Sequence, residues 1–394
     1  MQPDVIIVGA GPGGSAAAIT LAKNGHKVLL LDRKEFPRDK VCGDGLLPGS
    51  VRFLNKLGLK DQIQTAGFNP INEMMVISPE NTTINISITP RDKDTQFYIA
   101  PRKDFDVLLQ RKAVASGAKF LIANAHEPVI TDGVVTGINI VKNGRVSTFT
   151  STILIGADGS SSAMARTLAP QIHKVQQRIL WRRGYISGLE IDPQRAEFYF
   201  IKEIAPCGAW IFPISATSAN IGLGQYQQDY IPKQKNLNDL MEIFLNHPHI
   251  KPRLSADWKI SNSKSWYYHL ATWNQPRIAF DGALLVGDAA SFLDPFSGEG
   301  IKNALHSGII AGEIVDEALR KKDYSYSILS GYERRCKKEI YSVIRRSLAI
   351  KKCFELFPMQ MVKLFNRINN PNSLTHRFIE KQSGNFHIGG DASN

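Results

Sequence analysis

Gly9, Gly11, Gly13 and Gly14 crowd one short turn, and Asp32 follows Gly14 by eighteen residues. Three of these glycines make the spacing G-x-G-x-x-G, set between the apolar run Val5 to Val8 and an alanine-rich stretch from Ser15 to Asn24. That context turns a weak motif into a strong one. Gly9 permits a tight turn, Gly11 lets a pyrophosphate approach a helix N-terminus, and Gly14 lets helix and sheet pack closely. Asp32, with Arg33 beside it at the end of the next apolar run, accepts hydrogen bonds from a ribose. Together these residues predict a dinucleotide site.

Two later carboxylates narrow the ligand. Leu154-Ile155-Gly156-Ala157-Asp158-Gly159 and Leu284-Leu285-Val286-Gly287-Asp288 each put an acid just past a buried strand, where open α/β sheets bind ligands. A carboxylate there can bond polyol hydroxyls, which the ribityl chain of a flavin offers and a nicotinamide dinucleotide does not. FAD is therefore the expected cofactor, although either Asp alone would read as a helix cap.

The order of these motifs resembles that of FAD-dependent oxidoreductases built like aromatic hydroxylases. Pro37-Arg38-Asp39-Lys40-Val41-Cys42-Gly43-Asp44-Gly45, Trp210-Ile211-Phe212-Pro213 ahead of Gly222-Leu223-Gly224, and Asp294-Pro295-Phe296-Ser297-Gly298-Glu299-Gly300-Ile301 resemble the geranylgeranyl reductase family in particular. The resemblance runs from residue 4 to about 312. It implies an FAD domain, a sheet-built substrate domain over the flavin, and saturation of isoprenoid double bonds. It also implies that Gly43 and Gly45 pass close to the flavin, that Arg102 contacts FAD, and that Ala125 offers backbone to the adenine. The resemblance also implies that Cys42 lies beside the isoalloxazine, as a catalytic candidate or as a small soft residue packed under the ring. Pro295, Gly298, Gly300 and Ile301 lead into a helix expected to run to Leu319, whose free N–H groups would face the flavin N1 and O2. Trp210, Phe212 and Pro213 are expected to line an apolar substrate cavity, because alternate residues of an extended strand face one way. Geranylgeranyl reductases usually carry an aromatic where this chain has Gly208, which leaves the hydrocarbon substrate open. Gly208 and Phe212 also depart from the Trp-x-Trp-x-Ile-Pro segment of flavin halogenases, so halogenation is disfavoured.

These residues need a scaffold that brings distant turns together. The opening strand, helix and strand make a βαβ unit; helix is expected over Pro101 to Ser116 and strands over Lys119 to Ala123 and Thr152 to Gly156. Gly133 marks a hairpin turn. Short alternating stretches such as Thr83 to Ile88, and strands at Glu197 to Ile201 and Trp210 to Phe212, belong to an antiparallel sheet with one helix near Asn238 to Leu245. The predicted fold class is α/β: a Rossmann-type FAD-binding domain over 1–67, 100–168 and 276–330, and a second, antiparallel-sheet substrate domain over 68–99 and 169–275. A C-terminal basic helical region over 331–394 follows.

The 394 residues carry a formal charge of +12, which favours an anionic partner. Ten Lys or Arg against three Glu lie between Gly331 and Asn370. There, Ile340, Ile344 and Leu348 recur at four-residue spacing, with Phe354, Leu356, Phe357, Met359, Met361 and Phe365 around an expected kink at Pro358 and an end near Asn369-Asn370-Pro371. This segment reads either as a peripheral anchor on an anionic membrane or as a helical cap whose stripe packs on the FAD domain. Four scattered cysteines and no clustered histidines suggest no disulfide framework and no metal site, and fit a cytoplasmic protein. No apolar run is long enough to span a bilayer, and no nucleic-acid partner is expected.

The sequence thus predicts an FAD-dependent oxidoreductase that reduces C=C bonds of a polyprenyl or similar apolar substrate by hydride transfer from flavin N5. A flavin monooxygenase acting on an aromatic or polyene metabolite is the alternative, and a non-enzymatic flavin-stabilised protein a third class. With no second G-x-G-x-x-G, electrons are expected from docked NADPH or NADH or from a reduced, acidic redox protein.

Overall fold

The continuous apolar runs form the middle of a parallel sheet in the computed structural model, which describes residues 2–88, 96–142, 144–173, 178–205, 207–227 and 236–356. Val5–Val8 pairs in parallel with Val28–Asp32 on one side and Ile153–Gly156 on the other. Lys119–Ile122 and Ala283–Leu285 extend the sheet, and Ala279–Phe280 closes it antiparallel at one edge. Every residue of Val5–Val8 and Ile153–Gly156 is buried, as strands covered on both faces require. The helix Pro12–Lys23 starts inside the glycine run rather than at Ser15, because proline at the first turn has no N–H to leave unbonded. It packs on the helix Ile301–Lys321 at two glycines: a Cβ on Gly308 would lie 2.2 Å from the Gly13 carbonyl oxygen, and one on Gly312 2.6 Å from Thr20 Cβ.

The second layer is a seven-stranded sheet in the order Leu254–His269, Arg178–Leu189, Ser218–Tyr226, Ala209–Pro213, Arg195–Tyr199, Glu73–Ile77 and Thr83–Ser87. Glu73–Ile77 runs parallel to Arg195–Tyr199, and the other pairs are antiparallel. The amphipathic helix Leu237–Leu245 buries Leu240 and Phe244 in the same core as this sheet. A small sheet of Gly45–Leu46, Phe97–Ile99 and Asn69–Ile71 contributes Ile71, Phe97 and Ile99 to one cluster with Trp210 and Phe212. Asp132 and Gly133 both have positive φ at the tip of the hairpin Asn124–Thr131 and Val134–Lys142, the backbone that a two-residue turn needs.

After Tyr326–Cys336 the chain passes through a π-helical turn, Lys337–Tyr341, into the helix Ser342–Leu356. Ile340, Ile344 and Leu348 are buried in the core of the parallel sheet. The stripe is therefore the packing face of a cap, and a membrane anchor built on those three residues is ruled out. Arg345 and Arg346 stay exposed. The expected kink at Pro358, the end at Asn369-Asn370-Pro371, and Phe357, Met359, Met361 and Phe365 lie outside the described residues, as does the side chain of Phe354. No helix among the described residues is long and apolar enough to cross a membrane.

Candidate functional site

A chamber of about 730 Å³ opens along the C-terminal ends of the parallel strands and reaches under the seven-stranded sheet, a volume in the range of cofactor sites. Two helix N-termini face it. Pro12–Lys23 begins after Gly11, and Ile301–Lys321 after Gly300, each without a side-chain cap and without an acidic residue in its first turn. Free N–H groups and the positive end of each dipole are thus available to an anion or a polarised oxygen. Gly11, Gly13, Gly300 and Ile301 are on the chamber wall, as is Gly9 at φ +103°. Gly14 is not: a Cβ there would fall 1.8 Å from the Gly9 carbonyl oxygen, so its role is to let the turn close.

Asp32 accepts the Ala10 backbone N–H at 3.1 Å, the Lys34 N–H at 3.0 Å and Arg38 Nε at 3.2 Å. Arg38 also donates to Asp106 at 3.0 Å, and Asp106 is gripped twice by the buried Arg102 at 2.7 Å. A Cβ on Gly11 would lie 3.6 Å from Arg38 Nη2, so a guanidinium stands over the glycine turn. Sequence reasoning gave Arg38 no role. Arg33, Arg102 and Ala125 line the same end.

Asp158 and Gly159 sit at the middle with Gly287 and Asp288. Asp158 lines the chamber and accepts the Ser162 hydroxyl at 2.5 Å and the Ala163 N–H at 2.7 Å at the start of Ala163–Leu168, which is the helix-cap reading of its motif. Burial pushes its carboxyl above the usual range, against those bonds. Asp288 accepts Lys40 Nζ at 2.8 Å.

The far end is bounded by Cys42, Trp181, Tyr268, Leu293 and Gly298. Burial pushes the Cys42 thiol up, so it is protonated at neutral pH and suited to packing rather than nucleophilic attack. Gly43 and Gly45 lie behind this wall, where a Cβ on Gly43 would come within 2.9 Å of the Phe212 ring. Pro295 also lies off the wall, and its carbonyl accepts Tyr226 Oη at 3.5 Å.

Trp210, Phe212 and Pro213 are buried but do not line the chamber. Trp210 and Phe212 share a face, with ring centroids 6.2 Å apart, and Trp181 stands 5.8 Å from Trp210. The expected aromatic wall is therefore made by Trp181, with Trp210 and Phe212 backing it. The signal for Trp181 was present in Gly222-Leu223-Gly224. A Cβ on Gly224 would meet Trp181 at 2.9 Å and one on Gly222 would meet Trp210 at 2.2 Å, so those glycines make room for two indoles. Among the described residues no group of three or more His, Cys, Asp or Glu could hold a metal ion.

A dinucleotide with an attached ring fits this donor set: a ribose acceptor and an uncapped helix at one end, strand-end carboxylates in the middle, and a second uncapped helix beside an aromatic wall. The FAD binding domain family model matches residues 2–347. The chain is 30% identical over 364 residues to digeranylgeranylglycerophospholipid reductase 1 of Methanococcoides burtonii, covering 90% of this chain and 84% of that protein. It is 31% identical over 360 residues to the digeranylgeranylglycerophospholipid reductase of Methanocaldococcus jannaschii, covering 89% and 86%. The crystal structure of a geranylgeranyl bacteriochlorophyll reductase-like protein from Thermoplasma acidophilum superposes with a TM-score of 0.83 at 25% identity, covering 96% of this chain and 99% of that one. A flavin-dependent brominase shares the fold at a TM-score of 0.74 and 23% identity, over 100% and 96%. This chain belongs to the geranylgeranyl reductase family of FAD-dependent oxidoreductases.

Proposed function

We propose that this protein saturates carbon–carbon double bonds in the polyprenyl chains of a lipid. Bound FAD supplies the hydride, from N5 of its reduced ring. The chain's own residues hold and orient: Asp32 and the Gly11 turn take the adenosine and pyrophosphate, with Ala125 toward the adenine. Asp158, Gly159, Gly287 and Asp288 take the ribityl chain. The N–H groups at Gly300 and Ile301 would hold the polar edge of the flavin and would offset negative charge on it. Trp181, Tyr268 and Cys42 bound the far end of the chamber, where they would pack against the ring and exclude water. In this reading 1–67, 100–168 and 276–330 carry the cofactor, and 68–99 with 169–275 cover the substrate.

The observation that carries the proposal is the meeting, in one chamber, of an uncapped helix end and an indole wall backed by a second apolar layer. The relatives' names add the substrate class, a digeranylgeranyl lipid. Electrons come from NADPH, NADH or a reduced redox protein docked on the basic surface. The protein works in the cytoplasm at a membrane face, which it meets through the outward side of Ser342–Leu356, where Val343 and Ile350 are exposed beside Arg346.

The test is anaerobic. Holoprotein reduced chemically and mixed with a digeranylgeranyl phospholipid is expected to recover its oxidised flavin absorbance while the lipid gains hydrogen, read by mass spectrometry. Reoxidation only with oxygen, coupled to turnover of an aromatic or polyene compound, would replace this reading with the monooxygenase. For the membrane contact, co-sedimentation with anionic liposomes should rise with anionic lipid content and fall with salt; no binding at low salt would remove it.

A further inference from the structure

The segment Asp39 to Gly45 carries Cys42 to the chamber, and the seven-stranded sheet grips it residue by residue. Lys40 O accepts Arg183 Nη2 at 2.9 Å, Val41 O accepts the Tyr268 hydroxyl, and Cys42 O accepts Asn220 Nδ2 at 2.8 Å. Asp39 accepts Arg183 at 2.5 Å and Lys264 at 3.0 Å. Asp44 is fully buried off the chamber wall, with φ +64°. One of its oxygens accepts Tyr185 Oη and Asn220 Nδ2, each at 2.7 Å, and the other accepts the Arg102 N–H at 3.3 Å. Asn220 in turn accepts Trp210 Nε1 at 2.9 Å. A chain of bonds thus runs from the aromatic cluster through Asn220 and Asp44 to the loop under Cys42.

We propose that Asp44 is a positioning residue through which the substrate-side sheet sets the seat of the flavin ring. Its carboxylate oxygens fix Cys42 to Gly45 in one conformation, and losing the bonds from Tyr185 or Asn220 releases the loop. The proposal rests on the reading above only for what lies against Cys42. Burial raises the Asp44 carboxyl to about 6, while Tyr185, Asn220, Arg183 and Arg102 oppose the rise. The charged and titratable groups around it are Arg183, Tyr185 and Tyr268 from the sheet, Arg102 with Asp106 from Arg102–Ala115, and Asp39, Lys40 and Cys42 from the loop itself. A proton therefore favours the closed loop over an open one in which Asp44 is hydrated, and the loop should be held more tightly below about pH 6.

The experiment is alkylation of Cys42 by iodoacetamide, located by peptide mass spectrometry, from pH 5 to 8 in a Cys353→Ser background that removes the exposed thiol. After correction for thiol ionisation, the parent is expected to react more slowly as pH falls through about 6. Asp44→Ala, which removes the acceptor of both Tyr185 and Asn220, should react at least tenfold faster than the parent at pH 7.5 and lose that step, and Tyr185→Phe, the milder change, should raise the rate severalfold. Unchanged rates in both variants, with the step retained, would overturn the proposal. The same assay with FAD added separates the two claims: FAD that binds without shielding Cys42 refutes the placement of the ring, while the loop's dependence on Asp44 is judged from the rates without FAD.

Discussion

Asp44 and Glu197 are both fully buried carboxylates on opposite faces of the seven-stranded sheet, and they are satisfied in different ways. Glu197 takes the Arg253 guanidinium in a fork at 2.8 and 3.0 Å, with the Tyr199 hydroxyl at 2.7 Å. Asp44 takes a phenol, an amide and a backbone N–H, all neutral, with the nearest guanidiniums engaged elsewhere. A forked ion pair holds a buried charge in place, whereas neutral donors leave burial free to raise the carboxyl toward physiological pH. The first arrangement staples a strand at a place that does not line the chamber. The second belongs to the loop that carries Cys42, where a change of its bonds has somewhere to act.

Breaking the staple should give the largest effect. Arg253→Ala leaves Glu197 buried and unpaired, and should cost about 3 to 5 kcal/mol in urea unfolding; a loss under about 1 kcal/mol would mean that the carboxylate finds water. Asp32 extends the comparison to a carboxylate facing the cofactor. Asp32→Ala should weaken FAD binding by roughly ten- to a hundredfold, the equivalent of a charge-assisted bond of about 1.5 to 3 kcal/mol, read by fluorescence titration of the apoprotein.

The pH dependence sharpens the contrast. Because the folded Asp44 carboxyl is raised to about 6, the native state binds a proton that the unfolded chain releases, so its contribution to stability falls as pH rises from about 4 to about 6. Asp44→Asn does not titrate, and should gain on the parent by about 1 to 2 kcal/mol over that interval. Urea midpoints for the pair at pH 4.5 and 7 measure this, and a constant difference would contradict it. His269 acts in the opposite sense: burial, then the neighbouring His173 and Arg178, lower it to about 4, and neither ring nitrogen has a partner. Its contribution is present above the unfolded pKa and is lost as pH falls from about 6.5 to about 4, so His269→Phe should flatten the acid limb of stability. At the other extreme Lys321 and Glu317 pair at 2.7 Å on an exposed helix face. Lys321→Ala should change unfolding by no more than about 0.5 kcal/mol.

The sequence by itself determined the parallel sheet, the glycine turn with Asp32, the two strand-end carboxylates and the helix after Gly300, because each is a local pattern of apolar runs, breakers and spacing that dictates its own backbone. It also held the family resemblance and the glycines at 222 and 224, whose missing side chains are the trace of two indoles. Only the tertiary structure decided that Trp181 takes the wall while Trp210 and Phe212 stand behind it, and that the stripe at Ile340, Ile344 and Leu348 is a core face and not a membrane face. It alone placed Arg38 over the glycine turn and joined Asp44 to Tyr185 and Asn220, 141 and 176 residues away. Those outcomes depend on which strands become neighbours and how far each side chain reaches across them. Long-range pairings of this kind are fixed by the packing of whole sheets, and no stretch of adjacent residues encodes them.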